Sequence, residues 1–176
     1  MSDLSTLNLA DWIAANRETL KPPVGNKMLW NSNFMVMVVA GPNQRKDYHV
    51  NPGEELFFQI EGDIVVRIRE NGKPRDIPVK QGELFLLPSN VPHSPQRPAG
   101  TIGLVLEHFR GKDQHDHLRW FCDKCGSVVH DEEFFLTDLG TQVKGAIEKY
   151  YLGDAAIRTC KCGWVEPVPE KFQKKA

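Results

Sequence analysis

Two stretches decide the fold: GPNQRKDYHVNPGEELFFQIEG at residues 41–62 and GELFLLPSNVPHSPQR at residues 82–97. Each is a set of short apolar β-type runs punctuated by glycine and proline. Each also carries metal-ligand chemistry, His49 and Glu55 in the first and His93 in the second. Two imidazoles and one carboxylate can cover one face of an octahedral metal. The opposite face then stays open for substrate and O2, the ligand set of non-haem Fe(II) oxygenases. Both histidines close strand-like segments, and Glu55 follows six residues after His49, so neighbouring strands can aim all three into one barrel mouth. His108, His115, His117 and His130 have no such context and read as surface or hydrogen-bonded residues.

The strand signal continues on both sides. Phe34 to Val39 is a β-rich run that ends in a turn. Glu55 to Ile60 and Ile64 to Arg69 are joined by Glu61-Gly62-Asp63, and Ile64, Val66 and Ile68 alternate with Val65, Arg67 and Arg69. Asn71-Gly72 is a hairpin dipeptide. Asp76 to Lys80, Glu83 to Leu87 and Thr101 to His108 complete the set. Many short strands without intervening helices predict a mainly β chain, a barrel or double-sheet jelly roll. Before them, Leu7 to Leu20 reads as an amphipathic helix. Asn8 is its N-cap, Asp11 takes the capping-box position, Pro22-Pro23 stop it, and a loop follows from Val24 to Lys27. After them, Gly111 to His117 reads as a linker, Leu136 to Tyr151 as a helix, and the Lys- and Pro-rich residues from Glu166 as a fraying end. The division predicted is a barrel with its N-terminal helix at 1–118 and a cysteine-bearing tail at 119–176.

The chain of 176 residues is long enough for a real core, and its net charge of −1 with pI near 6.6 gives no electrostatic argument for nucleic acid or anionic membrane. No apolar run approaches a membrane span, and Met1 to Ala10 lack the flanks of a signal peptide. Cys122-Asp-Lys-Cys125 and Cys160-Lys-Cys162 form two pairs about 35 residues apart. Two such knuckles read as a rubredoxin-like four-thiolate site for Zn or Fe. It would have no vacancy, so its role would be structural, and a cytoplasmic location is expected.

The two stretches resemble the motifs of the cupin superfamily, with three departures: Asp47 stands for the first motif histidine, Asn90 for a glycine and Arg97 for an asparagine. Together with Arg45-Lys-Asp-Tyr-His49, Gly53-Glu-Glu55, Lys21-Pro-Pro-Val-Gly-Asn26 and His93-Ser-Pro-Gln-Arg97, they resemble the 3-hydroxyanthranilate 3,4-dioxygenase family. Trp120-Phe-Cys-Asp-Lys-Cys125 and the late cysteine pair resemble its bacterial and fungal form. There both cysteine pairs are C-x-x-C, whereas the second here is C-x-C. The resemblance implies a cupin jelly-roll barrel with Fe(II) on His49, Glu55 and His93. It implies O2-dependent opening of 3-hydroxyanthranilate to 2-amino-3-carboxymuconate 6-semialdehyde, on the kynurenine route to quinolinate and NAD, in a homodimer.

The substrate's carboxylate favours arginine, whose planar fork meets it with two charge-assisted hydrogen bonds. Arg45 and Arg97 stand four residues from His49 and His93, a spacing that on strands shares the ligand's face. The resemblance gives both to substrate and O2 handling. It makes Glu107 the acceptor for the substrate amine and a proton relay, and it places Glu55, Asn26, Phe57 and Pro95 in the pocket. The loop from Pro22 to Lys27 would close over it. Asp47 would anchor a ligand histidine or an arginine rather than bind metal. A non-catalytic metal-binding or ligand-sensing cupin is the alternative reading.

Overall fold

The computed structural model describes residues 5–20 and 25–173. Its strands are β1 (Asn26–Asn31), β2 (Phe34–Ala40), β3 (Tyr48–Val50), β4 (Glu55–Glu61), β5 (Ile64–Glu70) and β6 (Lys73–Val79). They continue as β7 (Leu84–Leu87), β8 (His93–Gln96), β9 (Ile102–His108), β10 (Asp116–Phe121) and β11 (Val128–Phe134). They form two antiparallel sheets, one ordered β1-β2-β9-β4-β7 and one ordered β11-β10-β3-β8-β5-β6. Met37, Phe57, Leu87 and Val105 of the first sheet meet Ile64, Val66, Ile68 and Val79 of the second in one buried cluster. This is the double-sheet arrangement that the alternation in the sequence predicts. In β5 the pattern is explicit: Ile64, Val66 and Ile68 are buried and the residues between them are not.

Local chemistry sets the corners. Asn71 (φ 52°) and Gly72 (φ 75°) form the two-residue hairpin between β5 and β6, where both central residues need positive φ. Asn90, the residue standing for a motif glycine, also has positive φ (63°), a conformation that asparagine tolerates better than most residues. A Cβ on Gly41 would lie 1.9 Å from the Pro98 carbonyl oxygen, so only glycine lets these two segments pass.

The helix α1 (Leu9–Asn16) is capped by Asn8, whose Oδ1 accepts from the N–H groups of Ala10 and Asp11, and Arg17–Thr19 extend it as a 3-10 turn. Ile13 and Leu20 are buried with Val38, Ala40 and Ile102 of the first sheet. The expected stop at Pro22-Pro23 lies outside the described residues.

Three expectations need correction. Asn26 and Lys27 are not loop but the start of β1, an edge strand paired with β2 from Asn26↔Val39. The last residues of the expected linker, Asp116 and His117, open β10, which pairs with β3 and β11; positions 118 and 119 lie in mid-strand. From Glu166 to Gln173 the chain does not fray: Glu166 is 2% exposed, and Phe172 stacks on Tyr151 with ring centroids 5.1 Å apart. The helix α2 (Leu139–Leu152), capped by the Asp138 side chain, packs Val143, Ala146 and Tyr150 on Leu118 and Trp120 of β10. The Trp120–Tyr150 rings stack at 4.1 Å, an arrangement that adds about 0.5–1.5 kcal/mol beyond area burial. Among the described residues no helix is long and apolar enough to cross a membrane.

Candidate active site and metal centres

The two sheets each contribute a facing pair. β3 and β8 are neighbours with His49 opposite His93, and β4 and β9 are neighbours with Glu55 opposite Glu107. All four are buried. One ligand atom each from His49, Glu55 and His93 lies within 4.8 Å of the other two.

The hydrogen bonds around this cluster leave it short of one cation. His93 Nδ1 lies 3.0 Å from the Val91 carbonyl, and a proton donated there leaves Nε2 as a lone pair 3.0 Å from Glu55 Oε2. With Nε2 unprotonated, that buried oxygen has no hydrogen-bond partner among the described residues. His49 Nε2 lies 2.6 Å from Asp116 Oδ2, so Nδ1 is the nitrogen left to bind. Two lone pairs turned toward each other in a buried site fit a metal, and the N2O donor set suits a divalent transition ion. Without that ion, burial drives the His49 pKa down, against the pull of Asp116. In that metal-free state burial works to lower the His93 pKa, but the Glu55 charge and hydrogen bond outweigh it and raise it, so Nε2 can carry a proton toward Glu55. Burial alone would raise Glu55, but His93, His49 and Arg110 outweigh it and hold the carboxyl below its ordinary value.

The cluster opens into a cavity of about 690 Å³. Arg45, Arg97, Glu107, Asn26, Phe57 and Pro95, all expected near substrate, line it. Phe57 is buried and meets His93 edge-on at 6.2 Å. Arg97 sits one residue past β8, bridged to Asn43, and is 2% exposed. Among the described residues its side chain reaches only Gln59 Oε1, at 3.3 Å, and no carboxylate pairs with it. Burial lowers its pKa to about 10. Arg45 corrects an expectation: it lies in the loop before β3, not on a strand, and reaches the cavity from there. Its Nη2 pairs with Asp47 at 2.6 Å, the arginine-anchoring option expected of Asp47, and Asp47 stays outside the ligand cluster. Of the expected lid, Pro22 to Lys27, residues 22–24 lie outside the described residues.

Glu107 is 2% exposed and accepts on Oε2 from Asn51 Nδ2 at 3.1 Å and Arg110 Nη2 at 2.7 Å. Burial first and the nearby Glu55 charge second push its pKa up to about 8, against Arg110. Asn51, Gln59, Arg110 and Asp116 escaped the sequence reading. For Asp116 a signal existed: Leu118 and Trp120 alternate with His117, Arg119 and Phe121 in strand fashion. The far wall was also missed. Val143, Ile147 and Tyr151 of α2, with Phe172, line the same cavity.

The cysteines converge as expected. Cys122 Sγ lies 3.6 Å from Cys162 Sγ and Cys125 Sγ 3.5 Å from Cys160 Sγ, close to the ~3.8 Å edge of a tetrahedron with ~2.3 Å metal–sulfur bonds. Two matched turns present them. Gly126 (φ 74°) donates to the Cys122 carbonyl and Gly163 (φ 84°) to that of Cys160. The second turn is one residue shorter, which accommodates the C-x-C spacing.

A family model described as 3-hydroxyanthranilic acid dioxygenase matches residues 1–151. The 3-hydroxyanthranilate 3,4-dioxygenase of Meyerozyma guilliermondii is 51% identical over 157 residues, covering 89% of this chain and 92% of that protein. Its namesake in Xanthomonas euvesicatoria pv. vesicatoria is 46% identical over 167 residues, covering 94% of both chains. That of Neurospora crassa is 46% identical over 160 residues, covering 90% and 88%.

Proposed function

This chain belongs to the 3-hydroxyanthranilic acid dioxygenase family, and from that premise we propose that it opens the ring of 3-hydroxyanthranilate with O2. Both oxygen atoms enter 2-amino-3-carboxymuconate 6-semialdehyde, the precursor of quinolinate. The observation that carries the reading is a buried His49, Glu55 and His93 cluster sharing one cavity with a buried Arg97 that pairs with no carboxylate among the described residues. His49, Glu55 and His93 would hold Fe(II). The chemistry Fe(II) supplies when bound is electron transfer between a singlet aromatic molecule and triplet O2.

The chain's own residues do the rest. Arg97 offers a desolvated fork to the substrate carboxylate, which supplies the anion that the described residues do not. Arg45, held by Asp47, presents a second cation at the same cavity. Both hydrogen bonds to Glu107 fall on Oε2, so Oε1 is the oxygen available to the substrate amine. With its pKa raised toward neutrality, Glu107 can hold or pass a proton there. Phe57 and Pro95 would flank the ring, Asn26 and Glu55 complete the pocket, and α2 with Phe172 forms its far wall. Zn or Fe on the four cysteines would staple residues 119–176. Thiol ligands favour a reducing compartment, so we place the enzyme in the cytoplasm, as a homodimer on the route to NAD.

An oxygen electrode tests this. Adding 3-hydroxyanthranilate to Fe(II)-loaded protein is expected to consume one O2 per substrate, and His93→Ala is expected to lose both iron and turnover. Iron-loaded protein that consumes no O2 overturns the reading.

A further inference from the structure

One buried side chain ties the two halves of the site together, and neither the metal cluster nor the pocket accounts for it. Arg110 lies in the connection between β9 and β10 and is 3% exposed. Its Nε donates to Asp116 Oδ1 at 2.6 Å, and its Nη2 donates to Asp116 Oδ2 at 2.6 Å and to Glu107 Oε2 at 2.7 Å. Its Nη1 donates to the His108 carbonyl at 2.6 Å. Asp116 is fully buried, and its Oδ2 also faces His49 Nε2 at 2.6 Å. A continuous path therefore runs Glu107–Arg110–Asp116–His49. It begins on one sheet and ends on the other.

We propose that Arg110 is a positioning residue for the ring-opening reaction, holding Glu107 and, through Asp116, His49 in register with each other. The inference rests on the function proposed above. The guanidinium fixes Oε2 of Glu107 and so dictates that Oε1 meets the substrate. It also locks the Asp116 carboxylate that orients the His49 ring and sets which nitrogen binds metal. A buried cation with two carboxylates is an expensive way to brace a loop, since well-packed apolar side chains of similar volume often do as well or better. Only a planar fork can serve two carboxylates and a carbonyl at once. A lysine ammonium is a point charge and cannot hold that geometry.

Arg110→Lys, Glu107→Gln, the double variant and Asp116→Asn separate this from a bracing role. In iron-saturated, folded protein, Arg110→Lys is expected to lower kcat at least about tenfold, with KM within about threefold because Arg97 is untouched. In the Glu107→Gln background the same change is expected to cost less than about threefold in kcat, since the Glu107 arm is already cut and saturating iron holds His49 in place of the Asp116 arm. Fully additive effects on kcat, or a wild-type kcat in Arg110→Lys, overturn the proposal. Asp116→Asn is expected to weaken Fe(II) binding about 10–100-fold, measured anaerobically without substrate. This arm needs no turnover and remains decisive if Arg110→Lys does not fold; wild-type Fe(II) affinity in Asp116→Asn overturns the Asp116 half. Wild-type protein that leaves 3-hydroxyanthranilate intact would instead overturn the function reading.

Discussion

At the residue scale, Arg97 carries the most specific expectation. Gln59 is its sole side-chain partner among the described residues, and Gly103 leaves the space it occupies: a Cβ there would lie 3.0 Å from Arg97 Nη1 and 2.7 Å from Gln59 Oε1. Arg97→Ala is expected to weaken anaerobic binding of 3-hydroxyanthranilate by about 2–5 kcal/mol, and Arg97→Lys to restore only part of it. Normal binding by the alanine variant with iron in place would reject the carboxylate role. Gly103→Ala is expected to raise KM by displacing the guanidinium, and an unchanged KM would show that the crowding is absorbed elsewhere. Glu107 gives a pH expectation. Its folded pKa, about 8, lies above the ordinary 4.5, so the metal-free folded protein holds that proton more tightly than the unfolded chain. The associated stability is fully present below about pH 4.5 and is lost as pH rises through about 8. Thermal denaturation of the metal-free protein from about pH 5 to about pH 8 should therefore show a falling Tm, flatter in Glu107→Gln; equal slopes would contradict the assignment. That His49, Glu55 and His93 converge was legible because each stands at the ligand position of a glycine-punctuated β motif. Arg110 was not, because it sits in a polar connection where no period marks burial.

At the element scale, the legible parts were those with a repeating pattern. The alternation in β5 and the helical spacing of Leu139, Val143, Ile147 and Tyr150 each exposed one face to be buried, and both elements formed. β1 was illegible because an edge strand with mixed burial needs little β-branched character. The final segment was illegible because its docking depends on single contacts, chiefly Val168 and Phe172, that make no pattern. Phe172→Ala is expected to lower stability by about 0.5–3 kcal/mol and to raise KM, since this ring both stacks on Tyr151 and lines the cavity. A variant with lowered Tm but wild-type KM would confine Phe172 to a packing role.

At the scale of the whole molecule, the two ligand clusters answer different needs. The three-ligand cluster lies between the sheets at the cavity, while the four cysteines close two knuckles at the ends of β10 and of the segment leading to Glu166. Cys122→Ser or Cys160→Ser is expected to lower Tm while leaving kcat per folded, iron-loaded molecule close to wild type, because four thiolates leave no position for substrate. A collapse of that ratio at wild-type Tm and iron content would make the cysteine site a participant in turnover. The central claim is that the His49, Glu55 and His93 cavity opens 3-hydroxyanthranilate with both atoms of O2. Mass spectrometry of the freshly formed product under ¹⁸O₂ tests it most directly: two labelled oxygens per molecule are expected, and a product carrying one or none would contradict it.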